Sequence, residues 1–243
     1  MAEKLRSISK RIHWSLILRA LIFTAAWLLL PFWLFFFVAL YLYFVPFFQS
    51  SRLAIPFFAL VLLCLFTGSS VAFGIIFGLI FYLILLIKDL IVIDRRPAYE
   101  VVVLALSFFL FRELYMRFPG GATGGALFSS LFAALVFALL LGSFIDCFKG
   151  DALSSEEILR PEGIPRVAKW LSFVLIWQAL AIGLFLPLNF IYQSAVVFLV
   201  AVLLIEFVPG YLSGNFSRNQ LITTSSVIFT LFVVVLGLAH WGF

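Results

Sequence analysis

Apolar residues run through this chain in long unbroken blocks, interrupted by short polar or proline/glycine breaks, with no alternation of period two. Continuous blocks of this kind read as helices in lipid, and the missing alternation argues against a transmembrane barrel. From Trp14 to Phe48 nearly every residue is apolar. As one helix that block would be about 50 Å long, against a hydrocarbon core of ~30 Å. It must therefore fold back, and Pro31 in Leu30-Pro31-Phe32 is the breaker, because a helix interior does not tolerate proline. The pattern predicts helices at 14–30 and 32–48.

The same logic carries down the chain. Gln49-Ser50-Ser51-Arg52 is a polar turn, and Thr67-Gly68-Ser69-Ser70 separates helices at 53–67 and 71–87. Gly74 and Gly78 form a small-xxx-small pair that lets a second helix approach closely. Lys88 to Glu100 is a charged segment, after which Pro97 opens a helix at 98–118, since its missing donor costs nothing in a first turn. The glycine-rich turn 119–125 leads to a helix at 126–145. Asp146 to Lys169 is the longest hydrophilic stretch; Ser154-Ser155-Glu156-Glu157 begins a short surface helix that Pro161 ends. A further hairpin over 170–208 breaks at Pro187-Leu188-Asn189 and stops at Pro209-Gly210, and a last helix covers 222–241.

The fold class is thus an all-α polytopic membrane protein of eight or nine transmembrane helices, several of them in short tight hairpins. Residues 1–13 form a basic cytoplasmic or interfacial N-terminus. Residues 14–243 form one helical membrane domain, with loops 88–100, 146–169 and 209–221 cytoplasmic. With the amino end inside, alternation puts every Lys and Arg on or near the cytoplasmic side except Arg112 and Arg117, as the positive-inside rule requires. The expected location is a bacterial-type inner (cytoplasmic) membrane, multi-pass, and no cleavable signal peptide is recognisable.

Composition sharpens this picture. Of 243 residues 65% are hydrophobic and only 11% charged, and the mean hydropathy is +1.23, whereas soluble domains are about half apolar and a quarter charged. The 32 Phe read as packing and lipid-facing surface. The net charge of +5 sits in short loops, so it marks topology and not nucleic-acid binding. Cys64 and Cys147 are far apart in the sequence, with no CxxC and no neighbouring histidine, which gives ordinary thiols, no metal site and no cofactor.

Chemistry concentrates in Phe111-Arg112-Glu113-Leu114-Tyr115-Met116-Arg117-Phe118, where three charges interrupt a membrane helix. Charges at depth have a function or a partner. Glu113 and Arg117 are i,i+4 and are expected to pair, leaving Arg112 to find another partner. Glu113 lies about 22 Å along its helix, in the outer third of the layer, and His240 reaches a similar depth on the last helix. Glu113 and His240 are the candidate catalytic residues; Arg112, Arg117 and Gln193 are the candidate binding residues.

Glu113-Leu-Tyr-Met-Arg117 resembles the ExxxR part of the first motif of the CPBP family, the CAAX-processing and bacteriocin-processing intramembrane glutamate proteases, and Ala126-Leu-Phe-Ser-Ser-Leu-Phe-Ala-Ala-Leu-Val-Phe looks like the helix that follows it there. The resemblance covers some twenty residues. It implies a polytopic protease in which Glu113 is the motif glutamate, Arg117 its arginine and His240 the late histidine. Position 112 is Arg where that family has the other of two paired glutamates, and the mid-chain FxxxH histidine is replaced by Phe132 or Val136, which implies a divergent or inactive relative. Without a nucleophile, metal cluster or nucleotide motif, the first expectation from the residues is a non-enzymatic scaffold or subunit of a membrane assembly. Its partners would be the lipid bilayer and either a membrane-protein partner or further copies of itself. The alternatives are the CPBP-like protease centred on Glu113 and a small-molecule or lipid transporter using Arg112, Glu113 and Gln193.

Overall fold

The computed structural model describes residues 14–45, 53–88, 95–119, 123–152, 163–213 and 218–239. Nine helices lie among them: α1 (Trp14–Leu29), α2 (Phe32–Phe44), α3 (Ala54–Phe66), α4 (Val71–Lys88), α5 (Arg95–Arg117), α6 (Gly124–Ala152), α7 (Gly163–Phe185), α8 (Phe190–Ser213) and α9 (Arg218–Leu238). Five stretches are long and apolar enough to cross a membrane, in α4, α6, α7, α8 and α9, and α1, α2 and α3 are shorter apolar helices. The protein is an all-α polytopic membrane protein. The expected N-terminal interfacial segment, the polar turn 49–52 and the surface helix at 154–161 lie outside the described residues.

Most breaks fall where the sequence put them. Pro31 is the N-cap of α2 with φ −61° and ψ 150°, and Leu53 and Thr67 bracket α3. Several boundaries differ. The helix drawn to end at 145 continues as α6 to Ala152, and the next starts at Gly163 and not at 170. Asp146 and Lys169, read as loop charges, pair across the two helices: Lys169 Nζ donates to both carboxylate oxygens of Asp146 at 2.9 and 2.8 Å. Its stem lies over Gly142. Both groups are partly exposed, so the pair contributes about 1 kcal/mol at most, but it lets charge sit in helix. The segment read as loop from 88 to 100 is helical from Arg95, with Pro97 in the first turn, where donors have no intrahelical partner anyway. Pro209 does not end its helix either: α8 runs through it to Ser213.

The chain divides into two compact units, Met1–Val102 and Val103–Phe243. In the first, α1 packs on α4 and α2, and α3 packs on α4 and α2, so two hairpins close into a four-helix ring. Aromatic rings fill it. Phe23 of α1 stacks on Phe81 of α4 at 4.3 Å and meets Phe35 of α2 edge-on at 5.2 Å. Phe57 of α3 stacks on Tyr43 of α2 at 4.2 Å and lies 6.2 Å from Phe81. All five are essentially fully buried, which accounts for part of the phenylalanine excess.

The closest approach is α1 against α4. A Cβ at Gly78 would fall on the Thr24 hydroxyl, and one at Gly74 would sit 3.3 Å from Thr24 and Leu28. In the space the glycines leave, Thr24 Oγ1 lies within hydrogen-bonding distance of its own Ala20 carbonyl (3.0 Å) and of the Gly74 carbonyl of α4 (3.2 Å). Two further bonds finish the short helices. The Trp27 indole Nε1 donates to the Cys64 carbonyl at 2.9 Å, and buried Lys88 donates to the Tyr43 carbonyl, its ammonium 4.5 Å from the Tyr43 ring. Both acceptors are among the last carbonyls of α3 and α2, which lack a partner within their own helix, and a cation there also meets the favourable end of the helix dipole.

In the second unit, α6 packs on α7, α7 on α8 and α8 on α9, with a smaller α6–α8 contact. The α5 residues Leu106, Phe111, Leu114 and Tyr115 are buried. Phe111 approaches Phe137 of α6, and Phe108 meets Phe198 of α8 edge-on. The helix α9 buries little beyond Ile228 and exposes apolar side chains along its length.

Gly78→Val should lower the unfolding free energy by about 1–3 kcal/mol through overpacking against Thr24, read as the denaturation midpoint in mixed micelles. Gly237→Ala, at a position with open space around it, should leave the midpoint unchanged or raise it, since a helical glycine costs about 1 kcal/mol relative to alanine.

Candidate functional site

The charged stretch occupies the last two turns of α5. Glu113 is 3% exposed, and its Oε1 accepts from Arg112 Nη1 at 2.7 Å. The i,i+4 geometry suggested Arg117 as a partner; on this oxygen the structure shows the neighbouring Arg112. Adjacent side chains point about 100° apart on a helix, but an arginine stem is long enough to curl round. Arg117 is the last residue of α5 and is exposed. The Arg112 side chain is 21% exposed, and its guanidinium lies 5.8 Å from the ring centre of Phe190, the first residue of α8. Charge-assisted hydrogen bonds and cation–π contacts both gain strength away from water. Together they compensate part of the cost of burying a carboxylate.

Between these charges Tyr115 turns to the other neighbour. It is fully buried, and its hydroxyl donates to the Leu180 carbonyl of α7 at 2.9 Å. Gly183 makes this possible, since a Cβ there would overlap the hydroxyl and lie 2.8 Å from the ring carbon that bears it. The sequence marked the stretch but not this residue. A tyrosine inside a charged run, and a lone glycine in the apolar block of α7, were the available signals.

Gln193 takes part in the turn between α7 and α8. Its Nε2 donates to the Leu186 carbonyl at 2.9 Å, closing the turn of its own hairpin. Asn189 completes that turn: its carbonyl accepts from the Tyr192 and Gln193 amides at 2.9 and 3.1 Å. The hydroxyls of Ser107, Ser130 and Ser194, all buried, donate to carbonyls of their own helices, as is usual for serine in membrane helices. His240, the second catalytic candidate, lies outside the described residues. Cys64 is a buried thiol and Cys147 a half-buried one. Among the described residues no group of three or more His, Cys, Asp or Glu could hold a metal ion.

The arrangement brings Arg112 and Glu113 together over Phe190, and holds Tyr115 on Leu180 beside them. Chemically it is a buried carboxylate with a guanidinium on one of its oxygens. Comparison with protein-family models, with curated proteins and with solved structures finds no match for this chain.

Tyr115→Phe should cost about 1 kcal/mol of stability, the net worth of one buried hydrogen bond. Gly183→Ala should cost more, because its methyl overlaps the phenol. The two substitutions together should cost less than their sum, as residues in contact do; thermal melts of the four proteins in one detergent measure this.

Proposed function

We propose that this protein is a non-enzymatic subunit or scaffold of a membrane assembly, and that its buried charges serve its own fold. The observation that supports this reading is the Arg112–Glu113 pair. A general base or nucleophile must present its carboxylate to a substrate, whereas Glu113 is buried and engaged at 2.7 Å by its own neighbour. Gln193, the polar residue that a carrier would use, is spent on a turn. The assembly partner is another membrane protein or a second copy of the chain. The distribution of Lys and Arg supports a cytoplasmic amino end and a bacterial-type cytoplasmic membrane as its location.

The competing reading is a divergent CPBP-like intramembrane protease centred on Glu113. The two part on one set of variants. If the pair is structural, Arg112→Met and Glu113→Gln each destabilise, with Arg112→Met the worse because it strands the more deeply buried partner. The double variant should then recover most of the loss, with a coupling of about 2 kcal/mol. A peptide-cleaving activity of the purified protein that Glu113→Gln abolishes, with the melt unchanged, would overturn the structural reading in favour of the protease.

A further inference from the structure

We infer, resting on the reading of the chain as a subunit of a membrane assembly, that the protein pairs with a second copy of itself through the exposed face of α7, and that the Gln178 carboxamides of the two copies hydrogen-bond to each other inside the membrane. Gln178 stands in the membrane-crossing stretch Arg166–Phe185 of α7. It lies about 18 Å of helix rise past Arg166 and about 10 Å before Phe185, within a hydrocarbon core of ~30 Å. Its side chain is exposed on the surface of the protein, and its carboxamide has no hydrogen-bond partner among the described residues. Other exposed polar groups return to their own backbone: the Thr223 and Thr230 hydroxyls of α9 each donate to a carbonyl one turn back. A carboxamide carries two N–H donors and an acceptor. Acyl chains offer neither, so an unpaired amide at this depth is costly.

The surface around Gln178 has the shape of a helix seam. Val167, Leu171, Val174, Ile182 and Phe185 share its face and are exposed. Steps of three and four residues keep this row on one side of the helix, as in left-handed membrane helix pairs that cross at about 20°. The buried row Ser172, Ile176, Leu180 and Leu184 lies on the opposite side, and α6 and α8 are the helices that pack on α7 within the unit. The exposed row is therefore apolar at both ends and polar at one point inside the layer.

An occupant must supply a donor and an acceptor at the depth of Gln178, with apolar surface on either side. A second copy meets both conditions. Two copies inserted the same way round are related by a two-fold axis along the membrane normal, and such an interface is isologous. Each α7 residue then meets α7 of the partner at its own depth. A carboxamide is also its own complement, since the N–H of each can donate to the carbonyl oxygen of the other.

The test is resonance energy transfer between full-length chains labelled at the amino terminus, in phosphatidylcholine vesicles of rising lipid-to-protein ratio. The wild type should associate. Gln178→Leu should associate about tenfold more weakly, and Gln178→Asn, which keeps the carboxamide, within about threefold of the wild type. Thr230→Leu, on the exposed face of α9, should change nothing. The thermal melt of Gln178→Leu in dilute detergent should not fall, because no described residue of its own chain bonds to the side chain. If that variant does not fold, Val174→Trp, exposed in the same row, should weaken association instead. Gln178→Leu pairing as tightly as the wild type, or Thr230→Leu dissociating in its place, overturns the inference. A wild type that stays monomeric overturns it too, and leaves the assembly reading to a different membrane-protein partner. That reading fails on a separate result, peptide cleavage abolished by Glu113→Gln.

Discussion

A hydroxyl from one helix reaching a backbone carbonyl of the next, across a glycine, is the contact on which both units rest. In lipid, burying apolar surface between two helices gains little, because the acyl chains are as apolar as leucine. Association must come from close van der Waals packing and from polar bonds that lipid cannot supply. Thr24 does this over Gly74 and Gly78, joining the first helix of its unit to the last of the two hairpins. Tyr115 does it over Gly183. In each case the glycine lowers the distance and the hydroxyl supplies direction, so the pair sets both how close the helices come and in what register. The stacked rings of Phe23, Phe81, Phe57 and Tyr43 then fill the space that this register defines.

Charge is handled by the same economy. Three ionised groups inside the described helices are placed against a compensating group near a helix end. Lys88 lies on the terminal carbonyls of α2, Asp146 lies against Lys169, and Glu113 against Arg112. The three differ in depth and therefore in worth. The Asp146–Lys169 pair is open to the surroundings and contributes little, whereas losing one member of the Arg112–Glu113 pair leaves a desolvated charge behind. That asymmetry makes the α5 pair the most sensitive polar point of the second unit, and it explains how three charges can interrupt an apolar helix without breaking it.

Most of this architecture was legible in the sequence because breakers are local. Pro31, the Thr67–Ser70 turn and the Pro187–Asn189 turn act through backbone chemistry that needs no tertiary information. The errors arose where a partner elsewhere changed the outcome. Asp146 and Lys169 looked like loop residues because their pairing spans two helices. Pro209 looked like a terminator, yet α8 passes through it. The candidate site was legible as a stretch but not as a set of contacts. The i,i+4 rule captures spacing on one helix, and it cannot weigh the reach of an arginine stem or the presence of Phe190 on another helix. Tyr115 and Gly183 escaped for the same reason: each is unremarkable alone, and their meaning lies in being opposite one another.

The capping of the short helices has a consequence for how the chain is made. The α3 terminus is completed by Trp27, which lies earlier in the sequence and is already in place when α3 emerges. The α2 terminus is completed by Lys88, which is synthesised some forty residues later. The first hairpin therefore enters the membrane with one end unfinished, and it stays so until α4 has been delivered. The end of α2 thus gains its Lys88 contact only with the arrival of the fourth helix of the unit.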